Sequence, residues 1–177
     1  YMKEKIPLSV VASFDALWSI PNFRMSEKVL QLVISILSHT KEKLIIHTKN
    51  DKDPAIVGIK RENLLSFVRD ELEDRKNMQY PPFKRFIKIS HIGTKDEAQE
   101  VRRILKDMFE KYSPHIFSGF VARQAGQYTT NALIKTDPKK WSLPELSLNA
   151  SLDQNLLAKL RSLPSVFSIC IDPEDLL

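Results

Sequence analysis

Alternating apolar runs and helical stripes divide the first 78 residues into strands and helices. A nearly continuous apolar run from Leu8 to Phe14 is typical of a buried strand. Apolar residues recur at helical spacing from Met25 to Leu37, and Leu44 to Ile46 forms a second short apolar run. The pattern therefore predicts the order strand, helix, strand.

A second helix is expected after Asp53. This carboxylate can cap a helix, the next residue is Pro54, which suits the first helical position, and one apolar face continues to about Lys76. Two strands and two helices cannot cover both faces of a parallel sheet. We therefore interpret residues 1–78 as an incomplete α/β edge of order βαβα, which ends at the stiff segment Tyr80-Pro81-Pro82.

The pattern from residue 79 to residue 177 is complete in itself. It predicts the order βαββαβ, with a turn at Gly126 between the two middle strands. This is the order of the ferredoxin-like fold, whose two right-handed crossovers place both helices on one face of a four-stranded sheet. The predicted fold class is α/β, or more narrowly α+β, with domains at 1–78 and 79–177. The predicted strands are Phe83–Ile92, Ile116–Ala122, Tyr128–Thr136 and Val166–Ile171, and the helices carry Ala98, Val101, Leu105, Met108, Phe109 and Tyr112, then Leu152, Leu156, Leu157 and Leu160.

Composition limits the classes of protein to which the chain can belong. It has 177 residues, a net charge of +5 and one cysteine, Cys170, which excludes disulfides and a cysteine zinc cluster within one chain. It has no run of about 18 apolar residues and no signal-peptide pattern, which indicates a cytoplasmic protein without a membrane span. The first residue is Tyr1 rather than methionine, so we expect the chain to be part of a longer protein.

The chain lacks the sequence pattern of a nucleotide-hydrolysing enzyme. It has no Gly-x-x-x-x-Gly-Lys-Ser/Thr loop, and its four glycines are too few for a backbone cradle around phosphates. Its four histidines are scattered and do not stand at metal-ligand spacing from acids or the cysteine. The charged run from Glu71 to Arg75 is typical of a solvated helix end. We expect no catalytic residue, metal site or cofactor site in this chain.

Two stretches, Phe14 to Glu27 and Glu71 to Phe83, stand out by the order and spacing of their residues. The first has a strand ending in an acid, then a loop closing on Phe-Arg, then a helix with a glutamate; the second has an arginine followed by Tyr-Pro-Pro-Phe. Both resemble PriA-type primosomal proteins, which are replication-restart DNA helicases. The residues that carry the resemblance are Asp15, Phe23, Arg24, Arg75, Pro81 and Pro82.

The resemblance implies that residues 1–78 are the end of a second motor lobe and that residues 79–177 are the C-terminal domain. Motif VI of the family carries arginines that reach the ATP phosphates, whereas Ser35 to Lys41 contains none. An arginine of this kind is worth about three or more orders of magnitude in turnover. We therefore expect no ATPase or helicase activity from this chain alone. In the family, ATP with magnesium, and zinc, are bound by parts absent here.

The resemblance also implies binding partners for the C-terminal domain. In the family this domain contacts forked or single-stranded DNA, works with primosome proteins at the nucleoid, and lends a basic residue to a pocket for the acidic tail of single-stranded-DNA-binding protein. Lys139 or Lys140 matches that residue by position, whereas Thr129 and Thr130 stand where relatives carry arginine. The candidate binding residues are Lys84, Lys88, Lys135, Lys139 and Lys140, with the aromatic residues Tyr128 and Trp141.

The residues themselves leave alternatives open. Scattered lysines on a domain are usually solvated, so the basic residues need not form a patch. Trp141 either stacks on a base, as aromatics of single-strand platforms do, or closes the small core of the domain. The two corresponding functions are assembly of a replication-restart complex on forked DNA and recruitment of protein partners without DNA binding.

Overall fold

A computed structural model of the chain describes residues 5–19, 22–61, 63–119, 126–141 and 152–176. The fold divides into two compact units, Tyr1–Glu73 and Asp74–Leu177. The predicted end of one strand, Ala122, lies outside the described residues. Both units contain helices and strands, so the predicted mixed α/β class is confirmed.

The first unit is built around two parallel strands. Strands β1 (Ile6–Val11) and β2 (Thr40–Ile46) pair in parallel and are connected by helix α1 (Met25–His39). A 3-10 turn at Asp15–Ser19 follows β1. One buried cluster holds the unit together, and its members are Phe14, Val29, Val33, Ala55, Ile56 and Phe67.

The prediction of a single helix from Asp53 to about Lys76 is wrong, because the structure has two helices there. Asp53 does cap the first, accepting a hydrogen bond from the Ala55 N–H at 2.9 Å. That helix, α2 (Pro54–Lys60), is followed by α3 (Leu64–Asn77). The break has a local cause, since the Asn63 N–H donates to the Gly58 carbonyl and its side-chain oxygen accepts from the Ser66 N–H, as an N-cap does.

Among the residues that the structure describes, one face of the two-stranded sheet carries exposed apolar side chains. Leu8 and Val10 on β1 are 50% and 57% exposed, and Ile45, which stands opposite Val10 on β2, is 40% exposed. The helices lie against the other face, where Leu44 and Ile46 pack on the buried cluster. The expectation that this unit needs further structure to fold remains a prediction.

The second unit has the expected βαββαβ order. Its strands are β3 (Arg85–Gly93), β4 (His115–Ser118), β5 (Tyr128–Thr136) and β6 (Ser168–Ile171), and its helices are α4 (Lys95–Phe109) and α5 (Gln154–Arg161). The four strands form one antiparallel sheet in the order β4-β5-β3-β6. This is the arrangement in which β3 and β5 are central and each crossover helix returns the chain to an edge.

Both helices lie on one face of this sheet. Apolar residues of α4, such as Leu105, and of α5, such as Leu156, pack with Ile87 and Ile89 of β3 in one buried cluster. Helix α4 begins with a capping box, in which the Thr94 hydroxyl accepts from the Glu97 N–H and the Glu97 carboxylate accepts from the Thr94 N–H. The opposite face of the sheet is therefore the one that α4 and α5 do not cover.

Candidate nucleic-acid interface

The junction segment, residues 75–83, lies at the start of the second unit and begins with the end of α3. After α3, Gln79 has a left-handed backbone with φ of 55°. Its N–H donates to the Lys76 carbonyl at 3.1 Å, and the Tyr80 N–H donates to the Arg75 carbonyl at 2.7 Å. These two bonds are the pair that defines a Schellman motif. The tyrosine of the family-like junction is therefore the residue that completes the helix end.

A tight turn follows this helix end. The Pro81–Pro82 peptide bond is cis, and the Phe83 N–H donates to the Tyr80 carbonyl at 2.9 Å. The Arg75 guanidinium donates to the Pro81 carbonyl at 3.5 Å, so it lies across the turn. The motif residues Arg75, Pro81 and Pro82 thus shape the backbone between α3 and β3.

Lys135 is held against this junction rather than extended into solvent. Its ammonium donates to the Met78 carbonyl at 2.8 Å and lies 4.8 Å from the centre of the Tyr80 ring. The Phe86 ring is 5.7 Å from the same ammonium and meets the Tyr80 ring edge-on. Burial lowers the pKa of Lys135. Lys135 therefore has a structural role at the junction.

Lys139 and Lys140 lie at the surface on a turn that the rest of the domain fixes. They end a 3-10 turn at Pro138–Lys140, which Asp137 caps by accepting from the Lys139 N–H at 2.8 Å. The Lys140 N–H donates to the Asp137 carbonyl, and the Lys140 carbonyl accepts from the Asp153 N–H, both at 2.9 Å. The backbone that carries these two exposed lysines is therefore anchored on both sides.

Trp141 follows this turn and points inward. It is 6% exposed and belongs to the buried cluster of the domain. It also makes an isolated bridge with Leu152, which precedes α5. The alternative in which Trp141 closes the core is the one seen, and its ring is not presented for stacking on a base. Tyr128, the other predicted aromatic, is half-buried at the start of β5, opposite Gly93.

Of the other two predicted lysines, Lys88 lies on β3 and Lys84 directly precedes that strand. The Lys88 ammonium donates to the Asp175 carbonyl at 3.4 Å. Lys84 is half-buried, and its N–H donates to the Tyr80 carbonyl at 3.3 Å. Arg85 pairs with Asp172 at 3.4 Å, which ties the segment after β6 to β3. In the sheet Arg85 pairs with Thr136, so Lys84 lies at the end of the sheet where the Pro138–Lys140 turn begins, whereas Lys88 pairs with Leu133 further along β3.

Sequence reasoning missed the interaction between Tyr112 and Asp153, which lies next to the Pro138–Lys140 turn. Asp153 caps α5 by accepting from the Leu156 N–H at 2.9 Å, and the Tyr112 hydroxyl donates to the same carboxylate at 3.1 Å. The Leu156 N–H, together with the Tyr112 hydroxyl, holds the pKa of Asp153 below its usual value. The pKa of Tyr112 is raised, chiefly by burial and also by its bond to Asp153. The sequence signal was an aspartate immediately before an amphipathic helix.

The family-like residues of the first unit also have structural partners. The Asp15 carboxylate accepts from the Lys49 N–H at 2.9 Å and from the Thr48 hydroxyl at 2.7 Å, and these bonds lower its pKa. Arg24 makes a two-bonded ion pair with Glu27 at the start of α1. Phe23 is half-buried beside it. The resemblance in this stretch therefore marks the loop between β1 and α1.

The segment that corresponds to motif VI, Ser35 to Lys41, forms the end of α1 and the start of β2. Its only ring, His39, contacts the Ser35 carbonyl at 2.8 Å. Across the described residues, histidine, cysteine and carboxylate side chains nowhere gather in a group of three that could hold a metal ion. Over the same residues, none of the helices has the length and apolar character to cross a membrane.

Comparisons with known proteins agree with the resemblance read from the sequence. No protein-family model matches the chain. Curated relatives do match, and the following are all called replication restart protein PriA. The protein of Chlamydia pneumoniae is 31% identical over 119 residues, which is 62% of this chain and 16% of the relative. That of Chlamydia trachomatis is 32% identical over 57% of this chain and 15% of the relative. That of Thermotoga maritima is 28% identical over 80% of this chain and 20% of the relative.

The match covers only a small part of each relative. The chain spans between 12% and 20% of the length of the six relatives that match it. The predicted resemblance is confirmed, and what the relatives do as whole proteins is a separate question for this chain.

Proposed function

We propose that this chain, a relative of the PriA replication restart proteins, serves in replication restart as a DNA-contacting and assembly portion rather than as a motor by itself. The sequence relationship supports the process. The observation that supports a contact role is the anchored turn that carries Lys139 and Lys140 at the surface of the second unit. The proposed ligands are the DNA backbone and the acidic tail of single-stranded-DNA-binding protein.

The geometry of the turn suits binding of a polyanion. Asp137 and Asp153 fix its backbone through hydrogen bonds. Trp141, the residue that follows the turn, is buried in the core of the domain. A fixed backbone lowers the conformational entropy that is lost when the lysines bind. Ammonium groups on such a turn attract phosphates and carboxylates alike, because lysine acts as a compact point charge. The turn thus fits both proposed ligands, whose shared chemistry is closely spaced negative charge.

The expected affinity is modest and sensitive to salt. Two phosphate contacts give a salt slope of only about two, because each neutralised phosphate releases roughly one counterion. Screening at high salt removes most of this attraction between exposed charges. Lys135 is not assigned to this surface, since its ammonium is engaged by the Met78 carbonyl and the Tyr80 ring.

Charge reversal at the turn tests the proposal. Labelled forked DNA and a labelled acidic tail peptide are titrated into the wild-type chain and the Lys139→Glu/Lys140→Glu variant at two salt concentrations. We expect the variant to lose at least ten-fold in affinity at low salt and little at high salt. The matched control is Lys95→Glu/Lys106→Glu, which makes the same change in net charge on exposed positions of α4. Equal binding by all three proteins would contradict the role of the turn.

The second candidate function is recruitment of a protein partner without DNA binding. The observation that favours it is the engagement of other basic residues within the domain, since Lys88 and Lys135 both donate to backbone carbonyls. In the same titrations this function predicts binding of the acidic peptide and no salt-dependent binding of forked DNA. The titration with forked DNA therefore distinguishes the two functions.

A further inference from the structure

We draw no further inference here: the strongest candidate, the cavity of about 540 Å³ between β2 and α2 that is lined mainly by apolar side chains such as Leu44 and Ile59, supports no proposal, because nothing in the part of the chain that the structure describes shows what covers it.

Discussion

The ammonium of Lys135 lies 4.8 Å from the centre of the Tyr80 ring, so a residue of strand β5 is bound to the junction that precedes strand β3. The same ammonium donates to the Met78 carbonyl. Together these contacts hold the end of α3 and the Tyr-Pro-Pro turn against the sheet face opposite α4 and α5. The family-like junction is therefore a structural connection, and one lysine of the domain is committed to it.

Replacing Lys135 separates this structural role from polyanion binding. Lys135→Met keeps the aliphatic stem but removes the charge, the hydrogen bond and the cation–π contact. We expect a loss of about 1–2 kcal/mol in the free energy of unfolding, because charged hydrogen bonds and cation–π contacts of this kind have that combined worth. Chemical denaturation followed by circular dichroism measures the loss.

Lys140→Met is the matched control for this experiment. It removes the same charge from an exposed turn, and surface changes of this kind stay within about 0.5 kcal/mol. For DNA or acidic peptide at low salt, we expect the opposite order, with Lys140→Met weakening binding more than Lys135→Met. Equal loss of stability in both variants would show that the junction contact carries no weight.

Gln79 is a position where glycine should stabilise the domain. Its φ of 55° lies in the left-handed region, which costs a residue with a Cβ about 1–2 kcal/mol. Gln79→Gly removes that strain but increases the chain entropy that is lost on folding, so we expect a net gain of about 0.5–1 kcal/mol. Gln79→Ala keeps the Cβ and should change stability by less than about 0.5 kcal/mol. A thermal melt of the three proteins decides it, and a gain shared by both variants would rule out backbone strain as the cause.

Local sequence signals predicted most of this fold because they act over a few residues. Asp53 before Pro54 marked a real helix start, and the βαββαβ order followed from apolar spacing. The break before α3 also had a local signal, Asn63 as a cap, which the continuing apolar stripe concealed. The candidate site was less predictable. Lys135 and Met78 are 57 residues apart, and no short-range pattern shows that folding brings them together.

The acid stability of the domain should depend on Asp153. Its pKa in the folded protein lies below the ordinary value of 3.8, first because the Leu156 N–H bonds the carboxylate and then because of Tyr112. A lowered folded pKa means that this stability is present above about pH 5 and is lost as the pH falls through the folded pKa. Asp153→Asn still caps α5 but does not titrate, so its unfolding free energy should fall less steeply between about pH 5 and pH 2.

Two further variants make the Asp153 experiment specific. Asp153→Ala removes the cap and should lose about 1 kcal/mol at pH 7 as well as the acid-dependent part. Asp107→Asn removes an exposed carboxylate from α4 that caps no helix, and it serves as the matched control. If the unfolding free energies of wild type and Asp153→Asn fall equally between about pH 5 and pH 2, Asp153 is not the source of the acid dependence.

The chain by itself should neither hydrolyse ATP nor unwind duplex DNA. It has no phosphate-binding loop, and the segment at the motif VI position ends α1 and begins β2 without an arginine. Steady-state ATP turnover is measured with and without forked DNA. Turnover above background that persists through a further purification step would contradict this prediction.

The last prediction concerns which part of the chain folds alone. The second unit completes its sheet and buries both helices against it, whereas the first leaves Leu8 and Val10 half exposed on a two-stranded sheet. We expect residues 74–177 to melt cooperatively and residues 1–73 not to. A shorter piece, 84–177, lacks the Met78 carbonyl and the Tyr80 ring that hold Lys135, so it should fold but unfold at a lower temperature. A cooperative melt of 1–73 would contradict the first expectation. Equal melting temperatures for residues 74–177 and residues 84–177 would show that the junction does not stabilise the domain.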